Sequence, residues 1–182
     1  MSKKTILKHF HRPIGLPAFL SPMGRLNLKS QECRYFRRKI TFTPSCAYNL
    51  GDDDQYDWNK LYGLCFGITG IHKNSVRFGW RYNTATDLIE ISTIVYSEGT
   101  VSRMRLAEVQ VNHEYEYEIK LCRWEYDPSN LSVMFYIRDN GSLIGVRHFI
   151  IHPTAKCYFG CGFYFGGNKR APHKMTIKTE KQ

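Results

Sequence analysis

The chain contains no run of about 20 apolar residues, the length a helix needs to cross a bilayer. Its opening, MSKKTILKHFHRPIGLPAF, is basic but lacks the unbroken apolar stretch of a signal peptide, being interrupted by Lys8, His9, His11, Arg12 and Pro13. These two absences predict a cytoplasmic protein with no membrane partner. A Gly-rich phosphate loop, a nucleophile elbow and a zinc-protease signature are also missing, so no cofactor is expected. RNA-recognition, KH and zinc-finger patterns are absent too, which argues against nucleic acid as a partner. No segment keeps a 3.6-residue apolar period long enough for an extended helix.

Acidic residues are the scarcer charge: 16 Asp and Glu stand against 26 Lys and Arg, for a formal net charge of +10. A field of that sign attracts polyanions such as nucleic acid, anionic lipid or acidic polysaccharide, or serves solubility alone. The six cysteines are Cys33, Cys46, Cys65, Cys122, Cys157 and Cys161. Most lie within apolar, strand-like runs, which predicts buried free thiols and a reducing compartment. Cys157 and Cys161 have His148, His152 and His173 near them in sequence but no second close ligand pair, so zinc is not expected.

Aromatics are plentiful, with 12 Tyr and 11 Phe among 182 residues, as a pleated and half-buried surface selects. The length fits one domain with its own core. Residues 1–30, carrying Pro13, Pro17 and Pro22, are expected to form an irregular lead-in packed on a single β-sandwich domain over 31–182. Strands are predicted near 34–43, 61–68, 75–83, 87–96, 101–110, 114–121, 131–137, 142–151, 156–165 and 174–179. Two alternate cleanly: Leu131, Val133, Phe135 and Ile137 on one, Tyr115, Tyr117, Ile119 and Leu121 on the other. Asn140-Gly141 is a hairpin signal. Many strands without intervening helices predict an all-β, two-sheet antiparallel sandwich.

Glu114, Glu116 and Glu118 share one strand face about 7 Å apart, a spacing compatible with glycosidase carboxylates, but they read more simply as a solvated row. Asp52, Asp53, Asp54 and Asp57 offer oxygen ligands that calcium would accept, yet without EF-hand spacing, and such loops are ordinary turn material. Ser75, Arg77, Gly79 and Arg81 alternate with Val76, Phe78, Trp80 and Tyr82, which places Trp80 in the core and two arginines on the opposite face. Cations there are costly unless the face is wet, holds an anion, or pairs them with carboxylates of a neighbouring strand. Trp58, Lys60 and His72 would add ring stacking and further positive charge to such a groove.

Asn59-Lys60-Leu61-Tyr62-Gly63-Leu64 and Ser75-Val76-Arg77-Phe78-Gly79-Trp80-Arg81 resemble the Lys-Leu-Pro-Gly-Leu and Ser-x-Arg-x-x-Trp-Arg motifs of jelly-roll lyases acting on alginate or glucuronan. Tyr164-Phe165-Gly166-Gly167-Asn168, followed by Ala171-Pro172-His173, resembles the Phe-Phe-Gly-Gly segment and closing strand of the same proteins. The resemblance implies a concanavalin A-like jelly roll and makes Lys60, Ser75 and Arg77 carboxylate-handling residues. If the chain is a lyase, it implies catalytic roles among Lys60, Ser75, Arg77, Tyr164 and His173. Tyr62 stands where the motif has proline, and the strand after Arg81, DLIEISTIVY, offers Tyr96 alone where the lyases are rich in tyrosine; Tyr82, Tyr164, His72 or His173 are the candidate substitutes. The expectation is therefore non-catalytic binding of an acidic glycan by Trp58, Asn59, Lys60, His72, Arg77, Arg81, Tyr164, Asn168 and His173. A divergent polysaccharide lyase and a protein-interaction sandwich without a glycan ligand are the alternatives. The sequence leaves the oligomeric state open.

Overall fold

Alternation of apolar and polar residues builds two sheets that close on each other. The computed structural model describes residues 3–7, 21–26, 28, 29, 32–67 and 71–182. In chain order the strands are β1 (Lys3–Leu7), β2 (Ser21–Arg25), β3 (Cys33–Phe42), β4 (Asn59–Phe66), β5 (Ser75–Asn83), β6 (Leu88–Ser97), β7 (Thr100–Val109), β8 (Glu114–Arg123), β9 (Leu131–Asp139), β10 (Ser142–Ile151), β11 (Cys157–Cys161) and β12 (Met175–Lys181). The first sheet runs β1-β12-β3-β8-β9-β10 and the second β2-β11-β4-β5-β6-β7, every pairing antiparallel. This is the all-β, two-sheet antiparallel sandwich that the alternation predicts.

The core is the shared inner face. Leu131, Val133, Phe135 and Ile137 of β9 are buried, as are Tyr115, Tyr117, Ile119 and Leu121 of β8. From the second sheet Val76, Phe78 and Trp80 meet them. Phe78 packs edge-on against Tyr117 and Phe135, with ring centroids 5.3 and 5.0 Å away, and so joins the sheets. Each fully buried side chain of this size contributes about 1.5–3 kcal/mol.

Four expectations need correction. The lead-in is not wholly irregular: β1 extends the first sheet beside β12, and β2 extends the second beside β11. Cys33 and Cys122 are directly opposed on β3 and β8 and form a disulfide, so four cysteines remain free and the inference from thiols to a reducing compartment loses its premise. Glu118 is not solvated. Only 4% exposed, it accepts from Arg37 Nε at 2.5 Å and lies 3.6 Å from Arg138 Nη1. Finally, the strand expected over 156–165 ends at Cys161, and the following segment keeps one bridge, between Tyr164 and Lys60.

Candidate functional site

Directly paired antiparallel residues point to the same side of a sheet, so register defines the outer face of the second sheet. Cys161, Gly63, Arg77, Ile94 and Arg103 form one row across β11, β4, β5, β6 and β7. Ser75 pairs with Tyr96 on one side of that row, and Arg81 pairs with Glu90 farther along on the other. A bulge between Lys60 and Gly63 displaces the start of β4, where Lys60 and Tyr164 exchange backbone hydrogen bonds of 2.9 and 3.1 Å.

The Phe-Gly-Gly segment makes this approach possible. A Cβ on Gly166 would lie 2.3 Å from the Trp58 carbonyl oxygen, and one on Gly167, whose φ is +72°, would lie 2.4 Å from Asp57 Oδ2. Asn59 locks the segment down: its Oδ1 accepts from Gly166 N at 2.6 Å and its Nδ2 donates to the Tyr48 hydroxyl at 2.9 Å. With 1% exposure it is a structural residue rather than a ligand-facing one.

Above this frame lies a cleft of about 310 Å³, lined by Asp57, Lys60, His72, Tyr96, Arg103, Tyr164, Phe165, Gly167, Asn168 and Lys169. Lys60 donates to the Trp58 carbonyl at 2.6 Å and sits 5.3 Å from the Tyr164 ring centre. His72 packs edge-on against Tyr96 with centroids 5.5 Å apart. Lys169 pairs with Asp52 at the rim. Of the expected ligand residues, Lys60, His72, Tyr164 and Asn168 come together here.

The others part company. Arg81 pairs with Glu90 at 2.5 Å and stacks 4.3 Å from the Trp58 ring, so Trp58 and Arg81 form an internal pair beside the cleft. Ser75 is fully buried and donates to the Ile71 carbonyl at 2.6 Å. His173 contacts the Ser45 carbonyl through Nε2 at 2.8 Å, outside the cleft. Tyr82 is bonded to Asp87, also outside. Arg77 does not reach the cleft at all: it is 0% exposed, and the Tyr96 and Tyr164 rings cover its guanidinium at 5.7 and 5.8 Å. Asp52, Asp53, Asp54 and Asp57 do not converge, since Asp52 Oδ1 caps the Asp54 amide while Asp57 turns into the cleft. No group of three metal-ligating side chains forms among the described residues.

Sequence reasoning missed Arg103 and Lys169 and undervalued Tyr96. Tyr96 was legible in principle, because it alternates with Ile94 and Ser92 on the face that carries Arg77. Arg103 needed the register of β7 on β6, which composition does not supply.

The sequence matches no protein-family profile and no curated protein. Its structure is similar to that of a variant of the alginate lyase Aly36B in complex with an alginate trisaccharide, at 10% identity, over 98% of this chain and 78% of that one, with a TM-score of 0.62. The Aly36B lyase itself aligns at 12% identity over 99% of this chain and 78% of that one, with a TM-score of 0.54. The family 7 alginate lyase A1-II′, as a variant in complex with product, aligns at 12% identity over 86% of this chain and 65% of that one, with a TM-score of 0.52. The fold is thus the jelly roll that the motifs around Lys60, Arg77 and Tyr164 pointed to.

Proposed function

We propose that the cleft on the outer face of the second sheet binds the carboxylate groups of an acidic polysaccharide. The observation that carries this reading is the charge of the lining: Lys60 and Arg103, with His72 beside them, share the cleft with one carboxylate, Asp57, while Lys169 is paired with Asp52 at the rim. Tyr96 and Tyr164 add flat, amphipathic rings against which a sugar packs while its hydroxyls stay wet. The shared fold with alginate lyases supports the same ligand class. Calorimetry on an alginate or glucuronan oligosaccharide and on its carboxyl-reduced counterpart tests it. Binding to the uronate form and loss of at least about ten-fold in affinity on reduction are expected, since each charge-assisted hydrogen bond contributes about 1.5–3 kcal/mol. Equal affinity for both forms removes the reading.

A second reading, β-elimination, is favoured by the grouping of Tyr96, His72 and Tyr164 with Lys60. Elimination from a uronate takes the proton α to the carboxylate, stabilises the resulting enolate with a cation and protonates the departing glycosidic oxygen. The cleft holds phenol, imidazole and ammonium groups suited to those roles. The expected product is an unsaturated uronide with new ultraviolet absorbance, and Tyr164→Phe should slow its appearance by about 100-fold. Absence of that absorbance across a panel of uronate polymers eliminates catalysis and leaves binding standing.

A further inference from the structure

The inward side of β3 carries two arginines where a core strand would carry apolar residues. Directly paired residues share a side of the sheet, and Arg34, Phe36 and Arg38 lie across from Leu121, Ile119 and Tyr117, all buried core residues of β8. Arg34 is settled, since its Nη1 donates to the Tyr158 hydroxyl at 2.8 Å. Arg38 is not. On its other flank it is paired with Lys181 of β12, so two cations stand directly opposite each other on the inward side, an arrangement that destabilises a strand pair. Among the described residues no carboxylate pairs with Arg38, and its guanidinium lies over the face of the Tyr62 ring, 5.2 Å from the centroid.

Beside Arg38 the two sheets leave a gap. β11 turns Tyr158 and then Gly160 inward, across from the core residues Phe66 and Leu64 of β4, and the glycine supplies no side chain to fill the space. The result is a cavity of about 280 Å³ with Phe36, Tyr62, Leu64 and Tyr158 in its walls and both Arg38 and Lys181 in its lining. Phe36 meets Tyr158 edge-on with ring centroids 5.4 Å apart. The Tyr62 hydroxyl is engaged elsewhere, donating to the Tyr117 carbonyl at 2.9 Å. Arg37 also lines the cavity, but its charge is met by Glu118 at 2.5 Å. No Asp or Glu side chain is in the lining to meet the other two cations.

We propose that this cavity between the sheets binds a small organic carboxylate with an apolar body. The carboxylate sits between Arg38 and Lys181, where a planar guanidinium offers parallel donors and the ammonium adds another, and its charge relieves the repulsion between them. The body lies against Phe36, Leu64 and the two tyrosine rings, whose removal of hydrocarbon from water supplies the rest of the affinity. The volume is at the lower end of small-molecule sites, which suits an acid the size of octanoate or benzoate and leaves no room for a sugar chain. The cavity and the cleft have no lining residue in common, so this site stands or falls apart from the uronate reading.

Calorimetry of the full chain with octanoate and benzoate, set against octan-1-ol, benzyl alcohol and acetate, tests the site. At least one of the two acids should bind at a single site, about ten-fold or more tighter than its own alcohol, which lacks the charge, and than acetate, which lacks the body. Arg38→Met keeps an unbranched apolar stem over Tyr62 and should weaken that acid by about ten-fold or more. Should Arg38→Met fail to fold, Lys181→Gln decides: Lys181 is exposed, and its loss should weaken the acid by about three-fold or more. Equal affinity for acid and alcohol, acid binding that these substitutions leave unchanged, or no binding of either acid overturns the assignment.

Discussion

Arg77 and Arg81 stand four residues apart on one face of β5, and their surroundings diverge completely. Glu90 lies directly across from Arg81 and neutralises it, whereas the residue across from Arg77 is Ile94. The alternation of β5 put both on the same side but could not tell these fates apart, because each depends on a partner contributed by β6. Burial at the residue scale also sets a pH limit. It pushes the Cys46 thiol and the Tyr48 phenol each up to about 12, and raises Tyr62 and Tyr117 as well. Groups raised in the folded state give their full stabilisation below the unfolded values, here 9.0 for cysteine and 10.0 for tyrosine, and lose it as pH climbs towards the folded ones. The melting temperature should therefore hold to about pH 9 and fall by several degrees between about pH 10 and 12. A Tm that stays flat across that interval contradicts the burial of these groups.

At the scale of elements, β4 depends on a missing side chain. A Cβ on Gly63 would stand 2.1 Å from the Val76 carbonyl oxygen and 2.5 Å from Arg77 Cα, both backbone atoms of β5. Gly63→Ala should cost about 3 kcal/mol, at the upper end of overpacking, and lower the urea midpoint accordingly; a change under about 0.5 kcal/mol would show that β4 and β5 are farther apart than described. The ten strands β3–β12 were legible because side-chain alternation and turn residues such as Asn140-Gly141 are local signals. What was not legible required pairing. Cys33 meets Cys122 across 89 residues of sequence. Glu118 loses its solvent only because Arg37 of β3 and Arg138 of β9 close over it. Asn59 looked like a cleft residue until its partners Tyr48 and Gly166 were known. In the candidate site, the motif segments delivered Lys60, Tyr164 and Asn168, while Lys169 lies in the gap just after Asn168 and Arg103 comes from β7, which carries no motif.

The whole molecule carries +10, and that charge is not confined to the cleft. Lys178 of β12 lies exposed on the other sheet, as does much of Arg37, so general attraction to polyanions needs no site at all. Binding in the cleft differs from that attraction in being local. Arg103 is exposed and lines the cleft, which makes Arg103→Ala safe for folding and informative for binding. The most direct measurement is the affinity of an alginate or glucuronan oligosaccharide for the natural chain, Arg103→Ala and Lys178→Ala at one fixed salt concentration. Loss of about ten-fold or more in Arg103→Ala with Lys178→Ala unchanged is the result predicted. Equal, small losses in both variants would contradict a cleft-borne site and leave only the field of a basic protein.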